Sequence, residues 1–134
     1  MKELYISVDI EASGPIPGKY SMLSIGAAPI GIDHVFYGIL KPLNDNYVEE
    51  AVKVSGFNLE QLKQEGTDPK IVMKGFEEWI KDVCKGEYRP VFVAFNAPFD
   101  WQFVNYYFHY FLGRNPFGIN GIDIKAYYMG MKKC

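Results

Sequence analysis

The first forty residues contain three stretches whose apolar positions are typical of β-strands. In residues 3–9 every second side chain, beginning with Leu4, is apolar, which predicts one buried and one open face. Apolar residues within 20–30 predict a second strand, and residues 34–40 predict a third strand after a turn at 31–33. Because this turn is short, we predict that the second and third strands form an antiparallel hairpin.

Helical signals begin further along the chain. Asn58 and Gln61 fit the two ends of a capping box, and Gly66 fits the end of that helix. Asp68-Pro69 fits the N-cap and first position of a second helix, whose apolar residues recur at intervals of three and four. Residues 41–54, ahead of both helices, are rich in turn-forming residues and are predicted to be irregular.

The last third of the chain predicts a strand, a helix and a shorter strand. Residues 90–95 are all apolar, which is typical of a strand buried on both faces. Asn96 is placed to cap a third helix that runs to about Leu112. Residues 122–124 predict a last short strand, and Tyr127 begins a segment that favours a helix.

This order of elements predicts the fold class. Three strands able to pair antiparallel are followed by alternating helices and strands, which indicates an α/β fold with a mixed sheet and flanking helices. The 134 residues fit one domain. The 49% hydrophobic and 22% charged content excludes disorder as the overall state.

Composition also narrows the cellular context. No apolar run reaches the about 20 residues that a membrane helix needs, and the first residues lack the features of a secretory signal. Cys84 and Cys134 have no metal-binding spacing, so we expect reduced thiols in a cytoplasmic protein. The net charge of −2 gives no overall basic surface for nucleic acid. A polyanion would need a local device such as bound metal ions.

Two groups of acidic residues follow apolar strands. Asp9 and Glu11 stand two apart in an extended segment, so their carboxylates share a face about 6–7 Å apart and can jointly hold a divalent cation. Asp100 lies in the first turn of the helix after Asn96. Each group also has a simpler interpretation, as solvated turn residues or as an acidic residue that compensates a helix dipole. Neighbouring strands would bring all three carboxylates together.

These residues resemble the motifs of a known enzyme family. Asp9-Ile10-Glu11-Ala12-Ser13-Gly14 is similar to the first motif of the DEDD-type 3′–5′ exonucleases, the DnaQ-like and ribonuclease T-like group. The segment from Asn96 to Asp100 is similar to their second motif, N-x-x-F-D. Residues 23–27 and the pair Gly56-Phe57 add supporting matches. The resemblance covers nearly the whole chain and implies a ribonuclease-H-like fold.

The resemblance also implies a site. Asp9, Glu11 and Asp100 would be the catalytic residues and metal ligands for Mg²⁺ or Mn²⁺, in a family that uses two such ions to hydrolyse phosphodiester bonds. The substrate would be the 3′ end of single-stranded DNA or RNA. Ala12 and Ser13 would contact the terminal nucleotide, and Phe99 would pack under the site. Asn96 is interpreted as a helix cap rather than a catalyst.

The third motif of the family, H-x4-D or Y-x3-D, does not follow the second motif anywhere in residues 101–134. We therefore expect an incomplete C-terminus that lacks the helix bearing this motif, and reduced or lost activity. Asp123 is a possible substitute but is better interpreted as a cap of the segment that follows. Two alternatives remain: a non-catalytic module that binds nucleic acid or protein, and a sugar hydrolase with Glu11 as its acid.

Aromatic residues form 16% of the chain and are concentrated in the predicted helix at 98–112. This helix is apolar nearly all round, so we expect it to be covered on several sides. If the last helix is missing, a homodimer that covers residues 98–112 would hide the exposed part. The alternative is that most of these aromatic side chains belong to the core.

Overall fold

Five strands and five helices occupy residues 2–133, the part of the chain that the computed structural model describes. The strands are β1 (Lys2–Ala12), β2 (Met22–Pro29), β3 (Phe36–Ile39), β4 (Tyr88–Ala94) and β5 (Gly121–Asp123). The helices are α1 (Glu49–Ser55), α2 (Leu59–Glu65), α3 (Pro69–Cys84), α4 (Ala97–Leu112) and α5 (Ile124–Lys133). The sheet order is β3-β2-β1-β4-β5, with antiparallel pairing among the first three strands in sequence and parallel pairing of β1–β4 and β4–β5. The predicted mixed α/β sheet is confirmed.

The central strand β1 divides its side chains between the two faces of the sheet. One face is buried under α3 and α4, and it carries the side chains at positions 4, 6, 8, 10 and 12. α4 is tied to β2 by the buried Tyr107, whose hydroxyl accepts a hydrogen bond from the Met22 N–H at 2.8 Å. The opposite face of β1 remains open near its C-terminal end, where α1 approaches it.

Two helices differ from the sequence prediction. Residues 49–55 form α1 although 41–54 were predicted to be irregular; its N-cap Val48 makes no side-chain cap, and none of its residues is buried. The sequence therefore showed neither a capping residue nor an apolar stripe. α5 begins at Ile124 instead of Tyr127 and directly follows β5. A helix does follow the last strand, but α5 carries neither form of the third motif.

The aromatic side chains of α4 are mostly in the core. Phe103, Tyr107 and Phe108 have no exposed surface, and their neighbours on the helix are largely half-buried. Tyr110 is the exception, with 67% of its surface exposed. The core interpretation is thus confirmed for most of residues 98–112, and the homodimer stays a prediction.

The remaining predictions about the chain's context have mixed outcomes. Among the helices of residues 2–133, none combines the length and apolar character needed to span a bilayer. Cys84 is a buried free thiol, whereas Cys134 lies outside the described residues.

Candidate active site

Asp9 and Glu11 lie on the open face of β1, as their spacing predicted. The alternate residues Val8, Ile10 and Ala12 point into the core, so the two carboxylates project from the other side of the sheet. Asp9 is exposed, and Glu11 is half-buried beside a register shift that ends the regular pairing of β1 with β2. The C-terminal end of β1 therefore carries two acidic side chains on the same face, just before the loop that follows the strand.

Asp100 joins them from the first turn of α4. The parallel pairing of β1 with β4 ends at Ser7 and Val93, so the Ile10 N–H lies beyond it. Asp100 Oδ1 accepts a hydrogen bond from this N–H at 3.1 Å, and only 5% of the Asp100 surface is exposed. This bond fixes the third carboxylate against the backbone between Asp9 and Glu11.

The electrostatics of the site show an uncompensated concentration of negative charge. Burial, followed by the charges of Asp9 and Glu11, raises the pKa of Asp100 to about 6, although the Ile10 N–H opposes the shift. Burial, and then the charge of Asp9, also raise the pKa of Glu11. Within residues 2–133, none of these three carboxylates has an ion-pair partner.

The donor set has the chemistry that hard divalent cations prefer, because it consists of carboxylate oxygens. The side chains do not form a closed cage, since no three acidic, histidine or cysteine residues of the described chain meet the geometry of a metal site. Asp100 uses one oxygen on the Ile10 N–H and has a second oxygen left for a ligand. The charge and ligand type of the site thus fit a cation, although the three carboxylates are not arranged around a common metal position.

A pocket of about 290 Å³ opens beside Asp9 and Glu11 on this face of the sheet. Its other walls come from the first three strands and from the end of α1, and they are Ile10, Ser24, Gly26, Tyr37, Ser55 and Phe57. Residues 23–27 and Gly56-Phe57 were noted in the sequence as supporting matches. The sequence analysis did not identify Tyr37 as a residue of this site. The register of the predicted hairpin, which pairs Tyr37 with Gly26, was the signal that could have found it.

None of the three predicted nucleotide contacts, Ala12, Ser13 and Phe99, is among the residues that line this pocket. Ala12 is buried, and Ser13 has no exposed surface. The Ser13 hydroxyl accepts a hydrogen bond from the Ser21 N–H at 2.9 Å and donates to the Asn46 carbonyl at 3.3 Å. Ser13 thus closes its own loop, residues 13–21, and ties it to the segment that carries Asn46. Its contact with a nucleotide stays a prediction. Phe99 is half-buried against the core, and its role under the site stays a prediction.

Asn96 does not cap α4, which corrects the sequence prediction. Its backbone is left-handed, with φ 64°, and its side chain makes no capping hydrogen bond. Its N–H instead donates to Asp123 Oδ1 at 3.0 Å. The same oxygen accepts from the Lys125 N–H at 3.0 Å, so Asp123 caps α5 as predicted.

Comparison with known proteins gives one strong sequence match. A 3′–5′ DNA exonuclease, Cap18 of Escherichia coli, is 52% identical over 131 residues, which cover 97% of this chain and 70% of that protein. No protein-family model matches the chain.

Solved structures of Escherichia coli exonuclease I share the fold at low identity. A metal-free complex with single-stranded DNA has a TM-score of 0.79 at 13% identity, and covers 98% of this chain and 30% of that chain. A complex with a dT13 oligonucleotide has a TM-score of 0.73 at 15% identity, over 92% of this chain and 28% of that chain. The chain thus spans less than a third of exonuclease I. Together with the Cap18 match, this fold shows that the chain belongs to the DnaQ-like 3′–5′ exonuclease family with its ribonuclease-H-like architecture.

Proposed function

We propose that this chain provides the carboxylate site of a metal-dependent 3′–5′ exonuclease that acts on single-stranded DNA. The observation that carries the proposal is the hydrogen bond from the Ile10 N–H to Asp100, which fixes a third acid beside Asp9 and Glu11. The name of the relative Cap18, a 3′–5′ DNA exonuclease, supports the reaction. Family membership also removes the support for a sugar hydrolase.

The proposed cofactor is Mg²⁺ or Mn²⁺. Asp9, Glu11 and the second oxygen of Asp100 would hold it, because they are hard oxygen donors whose mutual repulsion a cation would relieve. Bound there, such an ion supplies an activated water and stabilises charge on the phosphate. The protein's own contribution is to fix the acids on a strand and a helix, and to shape the pocket beside them.

The proposed substrate is DNA rather than RNA. The relative Cap18 is named as a DNA enzyme, and the exonuclease I complexes contain single-stranded DNA. The chain's net charge of −2 means that the strand must be held locally, at the carboxylates and the pocket. A strand with an RNA 3′ end remains the comparison substrate in the test.

The second candidate is a module that keeps the fold and binds nucleic acid or protein without hydrolysis. The specific observation in its favour is that neither H-x4-D nor Y-x3-D follows the second motif within residues 101–134. The loss of a general base lowers catalysis by about 10²–10⁴-fold. The intact trio of Asp9, Glu11 and Asp100 favours the exonuclease over this alternative.

Digestion of 5′-labelled single-stranded DNA and RNA with Mn²⁺ tests the proposal. We expect a ladder shortened from the 3′ end, faster on DNA, that Asp9→Ala abolishes because the exposed carboxylate is lost without disturbing the core. Glu3→Ala is a matched control, since it removes another carboxylate from the same strand away from the pocket. A folded wild-type protein that binds the strand but gives no ladder would support the non-catalytic module instead.

We also propose the homodimer predicted for the aromatic helix, now confined to the outer side of α4. The support is the exposed Tyr110, whose ring stacks on Tyr106 at 5.5 Å and meets Phe111 at 4.9 Å. Sedimentation should show a dimer that Tyr110→Glu dissociates, because a charge cannot be buried in such a contact. A monomer at every concentration of the wild-type protein would rule the dimer out.

A further inference from the structure

A cross-strand row runs over the open face of the sheet next to the carboxylates. Asp9 on β1 is paired with Gly26 on β2, and Gly26 is paired with Tyr37 on β3. Paired residues of neighbouring strands project to the same face of a sheet, so Tyr37 lies on the Asp9 side. Its side chain is 60% exposed, yet it lines the same pocket as Asp9 and Glu11.

The middle residue of this row, Gly26, has no side chain. Its φ is not left-handed, so the backbone does not require glycine at this position. A Cβ on Gly26 would meet only Tyr37 Cδ1 at 3.7 Å and the Asp9 carbonyl oxygen at 3.9 Å, which are ordinary contacts. The glycine therefore leaves a floor without a side chain between the aromatic ring and the acid.

A second aromatic residue also lines the pocket. Phe57, just after α1, and the Ser55 side chain line it together with Tyr37. The pocket lining therefore includes two aromatic side chains, Tyr37 and Phe57, together with the carboxylates of Asp9 and Glu11. A nucleotide has the matching parts, because its base offers a flat π-face and its phosphate is the group for a carboxylate-bound cation.

We propose that Tyr37 is a substrate-binding residue whose ring stacks on a nucleobase of the strand held at Asp9 and Glu11, over the floor that Gly26 leaves open. The proposal rests on the exonuclease function proposed above and adds the residue that holds a base. Stacking of this kind tolerates any base, so it suits an enzyme that degrades strands of any sequence.

A purely structural role for Tyr37 makes a different prediction. Aromatic side chains often cover a glycine on the neighbouring strand and thereby stabilise a sheet. In that case Tyr37→Ala would lower the thermal midpoint and leave strand binding unchanged. Binding and stability therefore have to be measured on the same variants.

The test measures the Kd for a 5′-fluorescein oligothymidylate by anisotropy, with Ca²⁺ in place of Mn²⁺ so that the strand stays intact. We expect Tyr37→Ala and Gly26→Val to weaken binding about tenfold, the first by removing the ring and the second by filling the floor. Tyr37→Phe should stay within about twofold of wild type, because it keeps the stacking surface. Tyr5→Ala, which removes a tyrosine from the same face of β1 away from the pocket, should bind like wild type.

The outcomes separate this inference from the proposed function. Wild-type affinity in both Tyr37→Ala and Gly26→Val overturns the role of Tyr37 while the digestion assay, with its Asp9→Ala control, still supports the exonuclease. A lower midpoint without weaker binding likewise overturns it in favour of the structural role. A wild-type protein that neither binds nor digests the strand overturns both.

Discussion

Changing Asp100 to asparagine is expected to make the metal-free protein more stable at neutral pH while removing its hydrolytic activity. The ionised carboxylate of Asp100 is buried beside two other acids, and the backbone N–H groups of Ile10 and of Asp100 itself offset this only in part. Asparagine keeps an oxygen for the Ile10 N–H, and its amide can donate to the neighbouring acids. The substitution thus removes a repulsive charge and keeps the hydrogen bond.

The pH dependence of this gain has a definite sign. The pKa of Asp100 is raised to about 6 in the folded protein, so the folded state binds the proton more tightly than the unfolded chain. The ionised group therefore lowers wild-type stability increasingly as pH rises from about 4 to 6, and fully above that range. With allowance for solvent at the pocket mouth, we expect Asp100→Asn to gain about 1–2 kcal/mol at neutral pH and almost nothing near pH 4.

Thermal unfolding at several pH values, followed by the digestion assay, measures both effects. Activity should fall about 10³-fold, which corresponds to roughly 4 kcal/mol of transition-state stabilisation. Added Mn²⁺ should raise the midpoint of the wild-type protein more than that of the variant, because a bound ligand stabilises only the folded state that holds it. If Asp100→Asn is less stable than wild type at neutral pH, burial and the neighbouring charges do not destabilise the ionised Asp100, and the prediction is wrong.

The sequence predicted the parts of the site that follow from local periodicity. Alternation along β1 placed Asp9 and Glu11 on one face, and the order of strands and helices brought Asp100 to them. The sequence did not predict the left-handed backbone of Asn96. The Asn96 N–H is bound by Asp123, which lies 27 residues further along the chain, and local sequence does not reveal such a contact. Tyr37 was missed for a similar reason, since its place beside Asp9 depends on the register of three strands.

The sequence of the aromatic helix predicts that the helix is covered, but it does not predict what covers it. An apolar helix can be covered by its own core, by a missing segment or by a second copy, and its sequence is the same in all three cases. The structure places Phe108 of α4 against Phe76 of α3, with ring centroids 5.5 Å apart. This contact belongs to the core. Substituting Phe76 therefore tests whether α4 is covered by the rest of its own chain.

Phe76→Ala is expected to destabilise the protein by about 3–5 kcal/mol, the usual cost of deleting a buried aromatic ring. Phe76 has no exposed surface, and its ring contacts Phe36 at 5.0 Å and Phe117 at 6.1 Å in addition to Phe108. The loss is a large part of the about 5–15 kcal/mol that holds a domain together, and should lower the midpoint by roughly 4 °C per kcal/mol.

The matched control is Tyr110→Ala, which removes an exposed ring from the outer side of α4. We expect Phe76→Ala to lower stability strongly at every protein concentration, whereas the dimer proposed above predicts that Tyr110→Ala lowers the midpoint only at high concentration. A Tyr110→Ala protein that matches wild type at every concentration would contradict the dimer and leave the core assignment intact. Equal small effects of the two substitutions would contradict the packing of α3 against α4. Deleting a ring buried between these helices leaves a cavity, and a cavity lowers stability.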